Sequence, residues 1–476
     1  MTEQTLKPAY HRKGHYRTTY IAIVSLLVFV ALVYGFDVLI KPAFSGVGLI
    51  VAGIVLSLIP AALWLFVFYQ QDRAEPEPVG YVGRMFVIGL ALAGTIGIPL
   101  SDQVFRLADW LYRDTLTMVI GPIFVTGAIE AFIVYATVRY FMFDNPEFNE
   151  RSDGVIYGTA AALGYATALN FQFVLGSSGA AMGIGEINIV AVVFAQAAFG
   201  GILGYFLGKA KLEKESVIWL SLGFLITAIL NGLFYILQSS LVTSLTSDFT
   251  QKAGILPSVV GLILSGLLTL IVTVIILTLI NRDVARTLAG KQKPPDADAA
   301  VGDRAANILV IAVFLVCLAI GAVFGINANN QLKTFEFNGV KGVYPSYFSL
   351  AKSPDQFAVT DLLKTHSEFN VQSIPLNGQK LQSVFSMLAA DRAGKYQAYK
   401  VLESKKDTVN GKEALVQRFV YVSAGEMTNS YPRIVEGIDY IVQSGEKAIV
   451  VTLLSPPEKI GEMETAFHRF LNSLSF

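Results

Sequence analysis

Histidine and cysteine are nearly absent from this chain. Its 476 residues hold one cysteine, Cys317, and four histidines, His11, His15, His366 and His468. One cysteine allows no disulfide within the chain and no cysteine-based zinc cluster. No histidine lies between residues 16 and 365, so a conventional zinc site is not expected anywhere in that stretch. His366 and His468 lack metal-like spacing and read as surface or packing residues. Charge is scarce too, at 15% of residues against about 25% in soluble domains. The formal net charge is zero, so no basic or acidic bias suggests nucleic acid as a partner.

What the chain has is apolar residues, 53% of the total, bunched into runs. Runs near the length needed to cross a bilayer, about 20 residues, recur at 19–36, 46–69, 82–100, 116–141, 154–175, 187–208, 216–242, 256–281 and 307–327. The N-terminus opens like a signal peptide, with Lys7, Arg12, Lys13 and Arg17 before an apolar run. No small-residue cleavage site follows in "FVALVYGFDVLIK", and further spans come after, so the first run is expected to stay as a membrane helix. The stretch 101–115, "SDQVFRLADWLYRDT", predicts an interfacial amphipathic helix. With the N-terminus inside, the inner segments hold 16 lysines and arginines and the outer ones 4. That bias predicts a cytoplasmic N-terminus and places everything after the ninth span outside.

The expected fold is an all-α polytopic membrane bundle of eight spans, plus a ninth span carrying an α+β antiparallel sandwich. The boundaries are a basic tail at 1–18, a membrane domain at 19–284, a linker rich in Ala, Pro, Asp and Gly at 285–306, the ninth helix at 307–327 and an extracytoplasmic domain at 328–476. In that last domain "YKVLESKKDTVNGKEALVQRFVYV" predicts two strands joined by Asn410-Gly411, a dipeptide suited to tight hairpin turns. "EGIDYIVQSGEKAIVVTLLS" predicts a second hairpin, and "PPEKIGEMETAFHRFLNSLSF" a closing amphipathic helix.

The spans carry a few polar groups. Glu130 sits in "VTGAIEAFIVY", where a charge at the bilayer centre costs roughly 3 kcal/mol. Thr126 and Thr137 share its helical face. Asn170 and Gln172 lie in the fifth span; Gln196 lies in the sixth, followed at steps of four by Gly200, Gly204 and Gly208; Asn231, with Tyr235 and Gln238, lies in the seventh. Small residues at that spacing let helices approach closely. Glu130, Asn170, Gln196 and Asn231 are therefore expected to cluster inside the bundle. The competing reading makes the amides bridges between helices, at about 1 kcal/mol or less each. Glu130 leans toward function, because an acid is costlier to keep there.

Two motifs give this pattern a family. "PAALWLFVFYQQDRAEPEP" (Pro60 to Pro78) and "DGVIYGTAAALGYATALNF" (Asp153 to Phe171) resemble the signatures of PrsW-type intramembrane proteases. "QAAFGGILGYFLG" and "ILNGLFYIL" fall where that family's next motif-bearing spans belong. The resemblance covers about residues 45–240. It implies cleavage of single-pass membrane proteins, such as anti-sigma factors, in a bacterial cytoplasmic membrane. The family's chemistry is attributed to a Glu-Glu pair with a downstream Lys, a Phe-x-x-x-Glu motif and histidines on later spans. Here Ile129 and Glu130 stand at the pair, Ile133 at the Lys, Tyr165 and Leu169 at the Phe and Glu, Gln196 at the first His, Asn231 at the later His and Tyr235 at an Asn after it. The C-terminal domain, ending "FHRFLNSLSF", resembles PsbP-like extracytoplasmic domains, which serve in binding or assembly.

The leading expectation is a pseudoprotease without cofactor or metal. It would bind single-pass membrane or extracytoplasmic partners through Asn170, Gln196 and Asn231, with Glu130 as the remnant of the catalytic set. An active endopeptidase is the alternative, with Glu130 as general base and Gln196 or Asn231 as oxyanion donors. A small-molecule or lipid transporter is a third reading, since an internal acid suits one.

Overall fold

Glycine decides how the membrane helices meet. The computed structural model describes residues 15–476 apart from 41–43, 45, 71–76, 108–109, 112–114, 177–181, 247–257, 289–302, 352–355, 362–364 and 424–432. Its helices are α1 (His15–Ile40), α2 (Gly46–Tyr69), α3 (Val79–Leu92), α4 (Thr115–Gly121), α5 (Ala128–Phe141), α6 (Arg151–Gly176), α7 (Met182–Leu212), α8 (Ile218–Thr246), α9 (Ser258–Leu288) and α10 (Asp303–Asn330). A Cβ added at Gly204 of α7 would fall on the carbonyl oxygen of Gly154 in α6, and one at Gly158 on that of Gly200. Gly164 of α6 meets the backbone of Phe86 in α3 in the same way. These approaches leave no room for a side chain, and they let the backbones pack face to face.

Among the described residues, eight helical stretches are long and apolar enough to cross a membrane: α1, α2, α3 with its extension, α4 joined to α5, α7, α8, α9 and α10. The remaining expected span, α6, falls short of that apolarity. Every residue from Arg151 to Ala168 is buried, and α6 meets α2, α3, α5, α7 and α9. A helix that faces protein on all sides needs small side chains more than lipid-soluble ones, hence its Gly, Ala and Thr.

Three local features depart from the sequence-based expectations. The first helix outruns 19–36 at both ends. The described residues of 101–115 form no amphipathic helix: π-helical turns at Ala93–Gly97 and Leu100–Val104 extend the third span, and Arg106 then turns to φ 47°, a left-handed conformation that ends a helix. Helix α9 runs on to Leu288 and α10 begins at Asp303, so helix takes up both ends of the expected linker. The rest of that linker, and Asp72 to Pro76 of the acidic turn, lie outside the described residues. A third π-helical segment, Pro122–Gly127, joins α4 to α5.

The C-terminal unit begins with a hairpin, β1 (Leu332–Phe337) and β2 (Val340–Pro345). A seven-stranded antiparallel sheet follows, built from β3 (Ser349–Ala351), β4 (Gln356–Thr360), β5 (Glu368–Pro375), β6 (Gln397–Val409), β7 (Lys412–Ser423), β8 (Arg433–Ser444) and β9 (Lys447–Ser455) in the order β3-β4-β5-β9-β8-β7-β6. The β6–β7 turn is Asn410-Gly411, at φ 49° and 78°; two positive values are what a tight I′ hairpin requires. Alternation along β8 and β9 supplies two cores. Tyr440, Val442, Val451 and Leu453 pack under α12 (Ile460–Asn472) with Phe467 and Phe470, while Ile441 and Val450 pack under α11 (Leu381–Lys395) with Val384, Phe385 and Leu388. Helices thus cover both faces of the sheet. Asp439, fully buried, is held by Arg392 through two hydrogen bonds of 2.5 and 3.0 Å, and by the Thr452 hydroxyl at 2.7 Å.

Candidate functional site

The polar centre of the bundle is assembled from three helices. Gly127, at the end of the π-helical segment, abuts the backbone of Ala228 in α8, and Gly232 abuts Ile123. That contact sets α5 against α8, and the glycine seam with α6 fixes α7. Between them the Gln196 side chain donates to the Glu130 carboxylate across 2.8 Å and to the Asn231 side-chain oxygen across 2.9 Å, both from Nε2. Glu130 is 5% exposed, Gln196 4% and Asn231 4%. An amide NH2 carries two hydrogens, so this one is fully engaged, one hydrogen on each acceptor.

The fourth expected member is elsewhere. Asn170 is buried, but its Nδ2 donates to the carbonyl of Ile189 at 3.2 Å; it ties α6 to α7. Gln172 donates to Asp102 at 2.6 Å. Gln238 donates to Ser265 on α9 at 3.0 Å. Thr137 turns its hydroxyl back to the Ile133 carbonyl at 2.8 Å, while the buried Thr126 hydroxyl meets no partner among the described residues.

Two groups escape sequence reasoning. Glu186 of α7 is fully buried, and both carboxylate oxygens lack a hydrogen-bond partner among the described residues. It is the only acid between Asp153 and Glu213, a signal obscured by its place at the polar edge of a span. Glu77 is the other. The Tyr157 hydroxyl donates to its carboxylate, the Tyr69 hydroxyl donates to its carbonyl at 3.0 Å, and the buried Asp153 carboxyl stands beside it. Asp153 in turn accepts the N–H groups of Asn149 at 2.8 Å and Glu150 at 2.6 Å. Glu77 is thus tied by hydrogen bonds to the Tyr of the Asp-Gly-x-x-Tyr span and to the end of α2. Burial pushes the Glu77 carboxyl above the usual carboxylate range, against the lowering effect of its bond to Tyr157.

A bundle of membrane-length helices closed over a buried carboxylate and two amides defines a polytopic membrane protein with an acid-bearing intramembrane centre. Comparison with known proteins specifies the kind. Residues 77–263 match the family described as PrsW family intramembrane metalloprotease. The chain is 30% identical over 179 residues to Protease PrsW of Geobacillus kaustophilus, spanning 37% of this chain and 74% of that protein. It is 28% identical over 179 residues to the Halalkalibacterium halodurans Protease PrsW, with 37% and 79% covered, and 27% identical over 186 residues to that of Bacillus subtilis, with 38% and 80% covered. The chain belongs to the PrsW family. Among solved structures it is similar to cyanobacterial PsbP from Synechocystis at 10% identity, covering 30% of this chain and 92% of that one with a TM-score of 0.25. It is also similar to the Ran-binding protein Mog1p of Saccharomyces cerevisiae at 10% identity, covering 30% and 95%, TM-score 0.23.

The family description implies a metal, and the residues of this centre do not fit one. Protein zinc sites use imidazole, thiolate and carboxylate donors. Here a single carboxylate faces two amides, and the Gln196 amide turns its electropositive NH2 toward both neighbouring oxygens. Among the described residues no three of His, Cys, Asp and Glu stand close enough to hold a metal ion.

Proposed function

We propose that this chain is a PrsW-family protein that binds membrane partners without hydrolysing them. The engagement of both Gln196 hydrogens, at 2.8 Å to Glu130 and 2.9 Å to Asn231, carries the reading. Hydrolysis needs a base free to take a proton from water and donors free to receive an oxyanion. This centre spends its acid and its donor on each other. Gln and Asn in place of ionisable groups keep hydrogen bonding and give up proton transfer. The partners are single-pass membrane proteins or their extracytoplasmic parts. The lysine and arginine bias of the loops supports a cytoplasmic N-terminus and an extracytoplasmic C-terminal domain.

An active Glu130-based endopeptidase is a second reading, favoured by the same 2.8 Å contact. A water inserted there would touch base and donor together. One assay separates the two. Full-length protein is reconstituted in liposomes with a single-pass anti-sigma-factor substrate labelled at both ends. The binding reading expects intact substrate from the wild type and from Glu130→Ala alike. A product formed by the wild type and lost in Glu130→Ala establishes the peptidase instead.

A further inference from the structure

Helix α10 lies against the helices that carry the polar centre, and it does so along one stripe. Ala306, Val310, Phe314, Cys317 and Gly321 are buried, while Ile308, Leu315 and Val316 face outward at 57–61% exposure. Three contacts on that side of α10 are specific. The Asn307 side-chain oxygen accepts the Tyr135 hydroxyl at 2.8 Å and the Tyr140 hydroxyl at 3.2 Å. The Phe314 ring stacks on Phe132 of α5 with centroids 4.0 Å apart, and meets Phe224 of α8 edge-on at 6.2 Å. Gly321 faces Val125, whose Cβ is 3.7 Å from the position a Cβ would take at Gly321. Asn307, Phe314 and Gly321 are seven residues apart in turn, two helical turns each, so they line up along one face.

The receiving surface is tied to the centre. Phe132 is two residues beyond Glu130, on the opposite side of α5, and Phe224 stands seven residues before Asn231 on α8. From Ala305 to Asn330 the α10 sequence has no charged residue, so it has the composition of a single-pass membrane segment. We propose that the outer α5/α8 face is a docking surface for single-pass membrane helices that present a hydrogen-bond acceptor, an aromatic ring and a small residue at seven-residue steps, with α10 as its resident occupant. A partner helix with that spacing takes the same seat: the acceptor receives the tyrosine hydroxyls, the ring enters between Phe132 and Phe224, and the small residue lets the backbones close at Val125. This deepens the binding reading and rests on it.

Disulfide trapping in the full-length chain tests the seat. In a Cys317→Ser background, Val125→Cys with Gly321→Cys is expected to close on oxidation, because Cβ atoms roughly 3.5–4.5 Å apart suit a disulfide. The exchange test uses Val125→Cys alone, in the same background, with a synthetic peptide of residues 304–330 carrying Gly321→Cys and Cys317→Ser. The peptide is expected to form an adduct at Val125→Cys. Phe314→Ala in the protein, which loosens the resident helix, is expected to raise the yield about threefold to tenfold, the effect of one lost aromatic contact. A peptide that also carries Asn307→Ala and Phe314→Ala is expected to lose the adduct. Failure of the internal pair to close, no adduct with any protein, or equal adduct from both peptides overturns the proposal. Substrate cleavage dependent on Glu130 would instead overturn the binding reading while leaving these trapping results as they are.

Discussion

The Gln196 amide nitrogen stands 2.8 Å from a Glu130 oxygen and 2.9 Å from the Asn231 oxygen, so one NH2 group holds α5, α7 and α8 together. Removing it strands two buried acceptors. Gln196→Leu is expected to lower stability by about 1–3 kcal/mol, the cost of unsatisfied buried polar groups. Glu130→Gln keeps an acceptor for Gln196 and is expected to cost about 1 kcal/mol or less. Thermal unfolding of the purified protein in detergent distinguishes the two; equal losses would mean that the nitrogen is not the junction.

The α6–α7 seam predicts a sharp steric effect. Gly204→Ala drives a methyl into the Gly154 carbonyl and is expected to destabilise the bundle by about 1–3 kcal/mol, as overpacking does. Gly266→Ala on α9 meets open space and serves as the control, with no loss or a small gain from better helix propensity. Melting temperatures of the two variants give the comparison.

Glu77 predicts a dependence on pH. Its folded carboxyl is raised by burial, so the folded state binds its proton more tightly than the unfolded chain does. Stability from this group is complete below the unfolded value, about 4.3, and is lost as pH rises through the folded one. Asp153, Tyr157, Glu147 and Glu150 face the same carboxyl, and Lys211 lies near it with opposite charge. Melting curves at pH 5 and pH 8 are expected to show a smaller difference for Glu77→Gln than for the wild type. An unchanged difference would count against a raised Glu77 carboxyl.

In the C-terminal unit, Arg392→Ala leaves the Asp439 carboxylate buried without its cation. Breaking a buried pair on one side typically costs about 3–5 kcal/mol. Limited proteolysis of the full-length protein is expected to cut this unit early in Arg392→Ala, and later again when Asp439→Asn is added. Resistance equal to the wild type would show that the pair contributes nothing.

Much of this was legible in the sequence because polar groups in apolar runs are few and costly. Glu130, Gln196 and Asn231 stand out for that reason, and the hairpin turn at Asn410-Gly411 follows from backbone conformation. Asn170 stands out equally, yet it caps the Ile189 carbonyl. Helical periodicity says which residues share a face of one helix, not which neighbour that face meets. The same limit hid the union of Glu77 with Asp153 and Tyr157, since two motifs 76 residues apart carry no sign of their pairing. It hid the seat of Phe314 on Phe132, because the linker suggests separation where aromatic stacking supplies contact.

The π-helical segment Pro122–Gly127 has a consequence for how this centre can change over time. A residue more or fewer in a helix rotates everything beyond it by about 100°. Glu130 begins three residues past that segment, so its inward aim depends on a count along the chain as well as on its neighbours. Relaxation of Pro122–Gly127 from π-helical to plain α-helical form, with no residue lost, would rotate Glu130 away from Gln196 without altering any side chain of the centre. The centre of this chain can therefore be taken apart by a change of helical form alone, at a place where a comparison of site residues would find nothing missing.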